Sequence, residues 1–265
     1  HVVETVTAGV DEETGAPYIV MELLRGEELA DAVARSGPLP FGDVAEVLSQ
    51  IGHALEQAHH NGIVHRDLKP ENIFLCVSKR RDAAFTAKIL DFGIAKLVAD
   101  GMQKTGTQPL GSPLFMSPEQ TDRKGRICPA TDVWALGLIA FHLLTGKSYW
   151  LEAEGDSLQT LLREIIVDPL PSASERATEL GVADKLPPGF DAWFARCVDR
   201  DVDKRFADGG EAVRAFGEID AKDKTERRLA IRTQAIETSA VAGTAALELA
   251  LTAPVTAQTA LAPPP

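Results

Sequence analysis

Eight consecutive residues, His65-Arg66-Asp67-Leu68-Lys69-Pro70-Glu71-Asn72, bring a carboxylate, an ammonium group and a carboxamide close together on a stretch stiffened by proline. A carboxylate can take a proton from a hydroxyl, an ammonium group can meet a negative charge, and carboxylate and amide oxygens are the hard donors that Mg2+ prefers. Asp91-Phe92-Gly93 places a second carboxylate 24 residues after Asp67, and Ser117-Pro118-Glu119 follows in the same direction. An isolated Asp or Asn in a loop is most often a turn former or a cap. Three signatures in fixed order reverse that weighting, because Asp-x4-Asn, Asp-Phe-Gly and a Pro-Glu motif belong to one known set.

The elements that would position these groups can be read from periodicity. Residues 2–10 and 18–24 are apolar, β-branched runs around DEETGAP and predict a β-hairpin. LADAVARSG predicts a short helix. The stripe Val44, Val47, Leu48, Ile51, Leu55 and Ala58 predicts a longer one, with Asp43 as N-cap and Gly62 as stop. Strand-like pieces are expected at 63–65, 72–77 and 87–93, then an irregular segment from 94 to 118. Helical patterns follow in TDVWALGLIAFHLLTG, LQTLLREIIV, DAWFARCVDR and GGEAVRAFGEI. From about residue 221 the chain is Ala/Thr/Pro-rich and too poor in large apolar residues to build a core, so 221–265 is expected to be a linker or disordered tail.

Composition narrows the partners. A net charge of −12 over 265 residues argues against nonspecific binding to nucleic acid or anionic membranes. Cys76, Cys128 and Cys197 are far apart, suggesting neither a disulfide framework nor a zinc site and fitting a reducing, cytoplasmic setting. The most apolar tail stretch, 239–262, is broken by Glu248 and Pro254, so no membrane span or signal peptide is expected. The first residue is His1, the expected signature of a fragment or processed product.

With these motifs the chain resembles the eukaryotic-like (Hanks-type) serine/threonine protein kinases of bacteria over roughly residues 1–220. Lys69 after His-Arg-Asp-Leu is the serine/threonine form. Gly-Ser-Pro before Ser117, Asp132-Val-Trp-Ala-Leu-Gly and Arg205 extend the match. The resemblance implies an α+β protein-kinase-like fold, mainly the helical C-lobe with a short β-hairpin remnant of the N-lobe. Residues 1–24 would be partial N-lobe and hinge, and 25–220 the C-lobe. It implies ATP and Mg2+, with transfer of the γ-phosphoryl group to Ser or Thr of a protein substrate.

The same resemblance assigns roles. Asp67 would be the base and Lys69 the charge at the γ-phosphate, with Asn72 and Asp91 as Mg2+ ligands. Met21 would be the gatekeeper, Glu22 and Leu24 would bond adenine through their backbone, and Phe74 would lie beneath the base. Arg66, with Thr105 or Thr107 as an autophosphorylation site, would form a regulatory pair. Ser112 would bridge Asp67 and Lys69 at the substrate. His65, Phe92, Gly93, Glu119, Asp132 and Arg205 would be scaffold, with Glu119 and Arg205 as a buried ion pair and Asp132 as the anchor of the loop. His53, His59 and His60 are expected on the helix surface or in packing. The turn carrying Lys79, Arg80 and Arg81 is longer than in the family and is expected to be solvated. Small-molecule phosphotransferases of similar fold are disfavoured by Ser117-Pro118-Glu119, Asp132 and Arg205.

The family also uses a glycine-rich loop, a strand lysine and a helix glutamate. No GxGxxG occurs before Lys69, which is the first lysine of the sequence. Two expectations stay open: a kinase whose first strands precede His1, or a remnant serving as a non-catalytic binding or scaffold module. For these residues alone, weak ATP binding is expected.

Overall fold

The computed structural model describes residues 1–77, 85–90, 113–122, 124–155 and 157–219. Asp91, Phe92, Gly93, Thr105, Thr107, Ser112, the Lys79–Arg81 turn and the 221–265 tail lie outside the described residues. His1–Asp220 is one of two units of the chain.

Strands β1 (Thr5–Val10) and β2 (Pro17–Met21) form the expected antiparallel hairpin, with Val10 opposite Pro17 and Thr5 opposite Met21. The turn is held by Asp11, whose Oδ1 accepts the Thr14 N–H at 2.8 Å and the Glu13 N–H at 3.2 Å. The hairpin is shorter than the apolar runs. Val2 leaves it for a parallel bridge to Ile89, while Glu22 follows the last paired residue.

A second sheet has the order β3 (Gly26–Glu28), β4 (Ile73–Val77), β5 (Phe85–Ile89), all antiparallel. β3 was not legible in Gly-Glu-Glu, which lacks the residues that favour strands. It exists because β4 offers a ladder and because residue 26 is glycine. Gly26 has φ +151°, and a Cβ there would stand 1.9 Å from the Leu75 carbonyl oxygen. The free edge of β5 is covered at Ala87 and Ile89: Gln50 Oε1 accepts the Ala87 N–H at 2.7 Å, His1 C=O accepts the Ile89 N–H at 2.9 Å, and Ile89 C=O accepts the Val3 N–H at 3.1 Å. Covering the edge removes a template for unwanted pairing.

Helices make up the rest. α1 (Leu29–Ser36) follows β3 directly. α2 (Phe41–His60) buries Val44, Val47, Leu48, Ile51 and Leu55 completely, the stripe its spacing predicted. Its N-cap is Pro40, however, three residues before the expected Asp43, which sits in the first turn. Asn61 is the C-cap, and Gly62, at φ +73°, turns the chain. Residues 63–65 form no strand. The Ile63 N–H is bonded back to Ala58 C=O and the His65 N–H goes to the Asp132 carboxylate, so neither is offered to a strand neighbour.

α3 (Pro118–Thr121) is a single turn. α4 (Pro129–Thr145) is buried on nearly every side and is the axis of the core. α5 (Leu158–Ile166), α6 (Ala173–Glu179), α7 (Phe190–Cys197) and a last helix over residues 209–219 follow, and α2 and α7 pack directly against α4. α6 is an addition to the expected helices. Its signal was present in Ser172 and Glu175, whose side chains bond each other's backbone N–H in a capping box. Phe141, Tyr149, Phe190, Trp193, Phe194 and Phe216 interlock beside α4 with neighbouring ring centroids 4.8–6.3 Å apart. Among the described residues, no helix is long and apolar enough to cross a membrane.

Gly26→Ala tests the recruitment of β3. The methyl group meets a backbone carbonyl rather than a flexible side chain, so the variant is expected to lose about 1–3 kcal/mol of stability in urea unfolding. An unchanged midpoint would show that β3 does not depend on the glycine.

Candidate active site

The loop 65–72 is held in place at its backbone before any of its side chains is considered. Asp132, near the start of α4 and 2% exposed, accepts the His65 N–H through Oδ2 at 2.8 Å and the Arg66 N–H through Oδ1 at 2.9 Å. The Arg66 carbonyl accepts the Gln120 Nε2–H at 2.6 Å, and Gln120 Oε1 accepts the Ser117 N–H at 3.0 Å. Between these clamps Arg66 has φ +65°, among the described residues the one non-glycine in the left-handed region. A non-glycine residue there costs on the order of 1 kcal/mol or more and persists only where its surroundings over-determine it. Three hydrogen bonds to residues 65 and 66 do so.

Asp67 lies directly after this bend. Its backbone N–H donates to His65 Nδ1 at 3.2 Å, while His65 Nε2–H donates to Leu90 C=O at 3.0 Å. The hydrogen bonds therefore assign the imidazole as the neutral Nε2–H tautomer, with both nitrogens engaged by backbone. The Leu90 N–H in turn donates to Asn72 C=O at 2.8 Å, which pins the residue just before Asp91. The expected metal ligand Asp91 itself is outside the described residues.

The side chains converge. Asn72 Nδ2 donates to Asp67 C=O at 2.7 Å and to Asp67 Oδ2 at 3.1 Å, and Lys69 Nζ stands 3.7 Å from the same Oδ2. Pro70 opens a 3-10 turn over Pro70–Asn72 that brings Asn72 back onto Asp67. Lys69 and Asp67 are 19% and 27% exposed, open to a reactant yet partly screened from water. With its amide nitrogen committed to Asp67, Asn72 directs Oδ1 the other way, and an amide oxygen is a suitable donor for a hard divalent cation.

The proposed nucleotide residues lie on the sheet and its approach. Phe74 is half-buried on β4, Met21 ends β2 with 38% exposure, and Leu24 is half-buried just before β3. The Glu22 N–H is used internally, donating to Glu4 C=O at 3.0 Å.

Two groups were missed by sequence reasoning. His59 is buried at 7% exposure; it accepts the Gly209 N–H at 3.3 Å through Nδ1 and bonds Asp132 Oδ2 at 2.9 Å through Nε2. It is therefore a partner of the loop's anchor, whereas His53 and His60 are exposed. Gln120 is the other. The bonds that matter cross 73 and 54 residues, so no local pattern announces His59, and the Ser117-x-x-Gln120 capping box announces only the helix start, not the reach to Arg66.

Glu119 and Arg205 form a bidentate pair at 2.8 and 2.9 Å. Arg205 is wholly buried, donates also to Asp199 and Ala130 carbonyls, and lies 5.0 Å from the Trp134 ring centroid. Burial pushes the Glu119 carboxyl up, but the hydrogen bonds and charge of Arg205 outweigh it and hold the group below its ordinary value of 4.5. A lowered carboxyl pKa contributes stability that is complete above the ordinary value and is lost as pH falls through the folded one. At pH 7, Glu119→Gln is expected to cost about 3–5 kcal/mol, because it leaves a buried guanidinium without its counter-charge. The gap between wild type and variant, followed by denaturant unfolding, should narrow below pH 4.5; a gap that widens in acid would refute the assignment.

Comparison with known proteins bears on the family. The family model described as "Protein kinase domain" matches residues 1–213. Serine/threonine-protein kinase pkn3 of Myxococcus xanthus is 35% identical over 222 residues, covering 82% of this chain and 38% of that protein. Pkn1 of the same organism is 43% identical over 165 residues, 62% of this chain and 23% of its own. PknL of Mycobacterium tuberculosis is 35% identical over 192 residues, 72% and 44%. The chain thus spans less than half the length of these relatives. Among solved structures, the kinase domain of Mycobacterium tuberculosis PknI shares the fold with TM-score 0.58 at 24% identity, over 83% of this chain and 71% of that one. A structure of Rad53 in complex with AMP-PNP has TM-score 0.57 at 24% identity, over 80% and 49%. On the family match and the motifs together, the chain belongs to the protein kinase domain family, among the eukaryotic-like serine/threonine kinases of bacteria.

Proposed function

We propose that this chain transfers the γ-phosphoryl group of ATP to serine or threonine hydroxyls of proteins, with Asp67 as base. The observation that carries the reading is the convergence of Lys69 and Asn72 on one Asp67 oxygen, on a loop whose backbone Asp132 and Gln120 hold. Phosphoryl transfer asks a protein for positioning and charge stabilisation more than for covalent participation. In the step, the acceptor hydroxyl oxygen forms a bond to the γ-phosphorus while the bond from that phosphorus to the β,γ-bridging oxygen breaks. The hydroxyl proton passes to the Asp67 carboxylate and ADP carries away the bridging oxygen.

Asp67 orients the acceptor hydroxyl and takes its proton, and Lys69 meets negative charge on the transferred group as a point charge. Asn72 would hold Mg2+ together with Asp91; bound Mg2+ neutralises phosphate charge. Met21, Phe74 and the backbone of Glu22 and Leu24 would receive the adenine. The nucleotide analogue held by the Rad53 structure supports ATP as the donor class. Ser112 would bridge Asp67 and Lys69 at the acceptor, and autophosphorylation at Thr105 or Thr107 would give Arg66 a phosphate to pair with. In domain terms, 1–24 reads as N-lobe and hinge, 25–220 as C-lobe and 221–265 as linker or tail.

The test is radiolabel transfer from ATP to a serine/threonine protein by the complete polypeptide containing these residues. Asp67→Asn is expected to lower kcat by about 100- to 10,000-fold, while the KM for ATP changes little because the nucleotide contacts remain. Near-normal turnover by the variant would remove Asp67 as the base.

A further inference from the structure

One ion pair joins Glu22, a proposed nucleotide residue, to Lys88, which is not one of them. Glu22 Oε1 accepts the Glu4 N–H at 2.8 Å and pairs with Lys88 Nζ. The two side chains, Lys88 22% and Glu22 30% exposed, come from positions 66 residues apart. Lys88 lies on β5 opposite Phe74 of β4, which in turn is opposite Glu28 of β3. Directly opposed residues of antiparallel strands share a face. Ile73, Ala87 and Ile89 point the other way and are fully buried, whereas Phe74, Cys76 and Lys88 form a half-buried face. Lys88 therefore stands beside the residue proposed to lie under the adenine, and its ammonium reaches the residue whose backbone is proposed to bond the adenine edge.

We infer that Lys88 is a positioning residue for the nucleotide: by holding Glu22 it sets the spacing between the chain at 22–24 and the Phe74 floor. The inference rests on the kinase reading above. Other links tie this region to β5, the Val3 and Ile89 backbone bonds and the His1 Nδ1 bond to Ala87 C=O, but these act before the hairpin begins. After β2 the chain runs through residues 22–24 before the Arg25 C=O accepts the Val77 N–H at 2.9 Å and β3 pairing begins at Gly26. Across that interval the Glu22 carboxylate fastens the chain both to Glu4 and to β5. The hydrogen bond from Lys88, followed by that from Glu4, holds the Glu22 carboxyl below its ordinary value, so the carboxylate is kept at neutral pH. Removing the ammonium leaves the carboxylate with its Glu4 bond alone and frees the segment where adenine would be gripped.

The experiment measures ATP binding in the presence of Mg2+ by calorimetry, together with kcat and the KM for the protein acceptor, on the complete polypeptide. Lys88→Met is expected to raise the ATP dissociation constant about 5- to 20-fold, with kcat at saturating ATP and the acceptor KM within about two-fold. Lys88→Arg should retain the affinity. The double variant Lys88→Met with Glu22→Gln should bind no more weakly than the worse single variant, since both remove one interaction. Lys88→Gln keeps the length and a donor without the charge, so it should lose less affinity than Lys88→Met and keeps the test open if Lys88→Met fails to fold. Unchanged ATP affinity in a folded Lys88→Met, additive single effects, or equal losses in kcat and acceptor KM would overturn the inference. A wild-type protein that binds no ATP would overturn the kinase reading itself and this inference with it.

Discussion

The geometry of the site depends on one buried carboxylate. Asp132 is nearly inaccessible to water and spends both oxygens on the backbone of His65 and Arg66, with His59 as a further partner. A charge in that position would be costly if unpaired, and here the donors that repay its desolvation are the same N–H groups that the bent loop leaves without a secondary-structure partner. Two deficits cancel. The left-handed Arg66 is the visible result, and it aims Asp67 toward Lys69 and Asn72. Because α4 is enclosed by α2, α7 and the aromatic cluster, the anchor is as rigid as the core itself.

Rigidity also explains the division of labour between the two polar clusters under the loop. Asp132 works through neutral donors and fixes a backbone shape. The Glu119–Arg205 pair works by charge and joins α3 to the segment around Asp199 and Ala130. Buried ion pairs are weak sources of net stability but strict about who may replace them. Here that strictness tethers Ser117-Pro118-Glu119-Gln120, and Gln120 is the residue that reaches the Arg66 carbonyl.

The candidate site groups were legible because the chemistry proposed for them restricts residue type: a proton acceptor, a cation and hard oxygen donors leave few choices, and the order of the motifs along the chain was diagnostic of the family. The long helices were legible because their burial is periodic, as Val44 to Leu55 show. What was not legible is held by long-range hydrogen bonds. Gly26–Glu28 has no strand propensity of its own and is recruited by β4. Residues 63–65 look like a strand but give their donors to Ala58 and Asp132. His59 resembled any other helix histidine until Asp132 and Gly209 were brought to either side of its ring. Lys88 and Glu22 are ordinary charged residues until the sheet and the hairpin meet.

The Gln120 clamp has a consequence in terms of linkage. One amide side chain connects Ser117 to the Arg66 carbonyl, so the turn at 117–120 and the bend before Asp67 share a single hydrogen-bonded unit although 54 residues separate them. Coupling of this kind is reciprocal: whatever free energy an event at one end adds to this arrangement over another is available, in the same amount, at the other. A macromolecule that orders the 117–120 turn by docking there thereby favours the loop conformation that presents Asp67. Equally, a reactant that demands that conformation tightens the hold on the docked molecule, with no contact between the two.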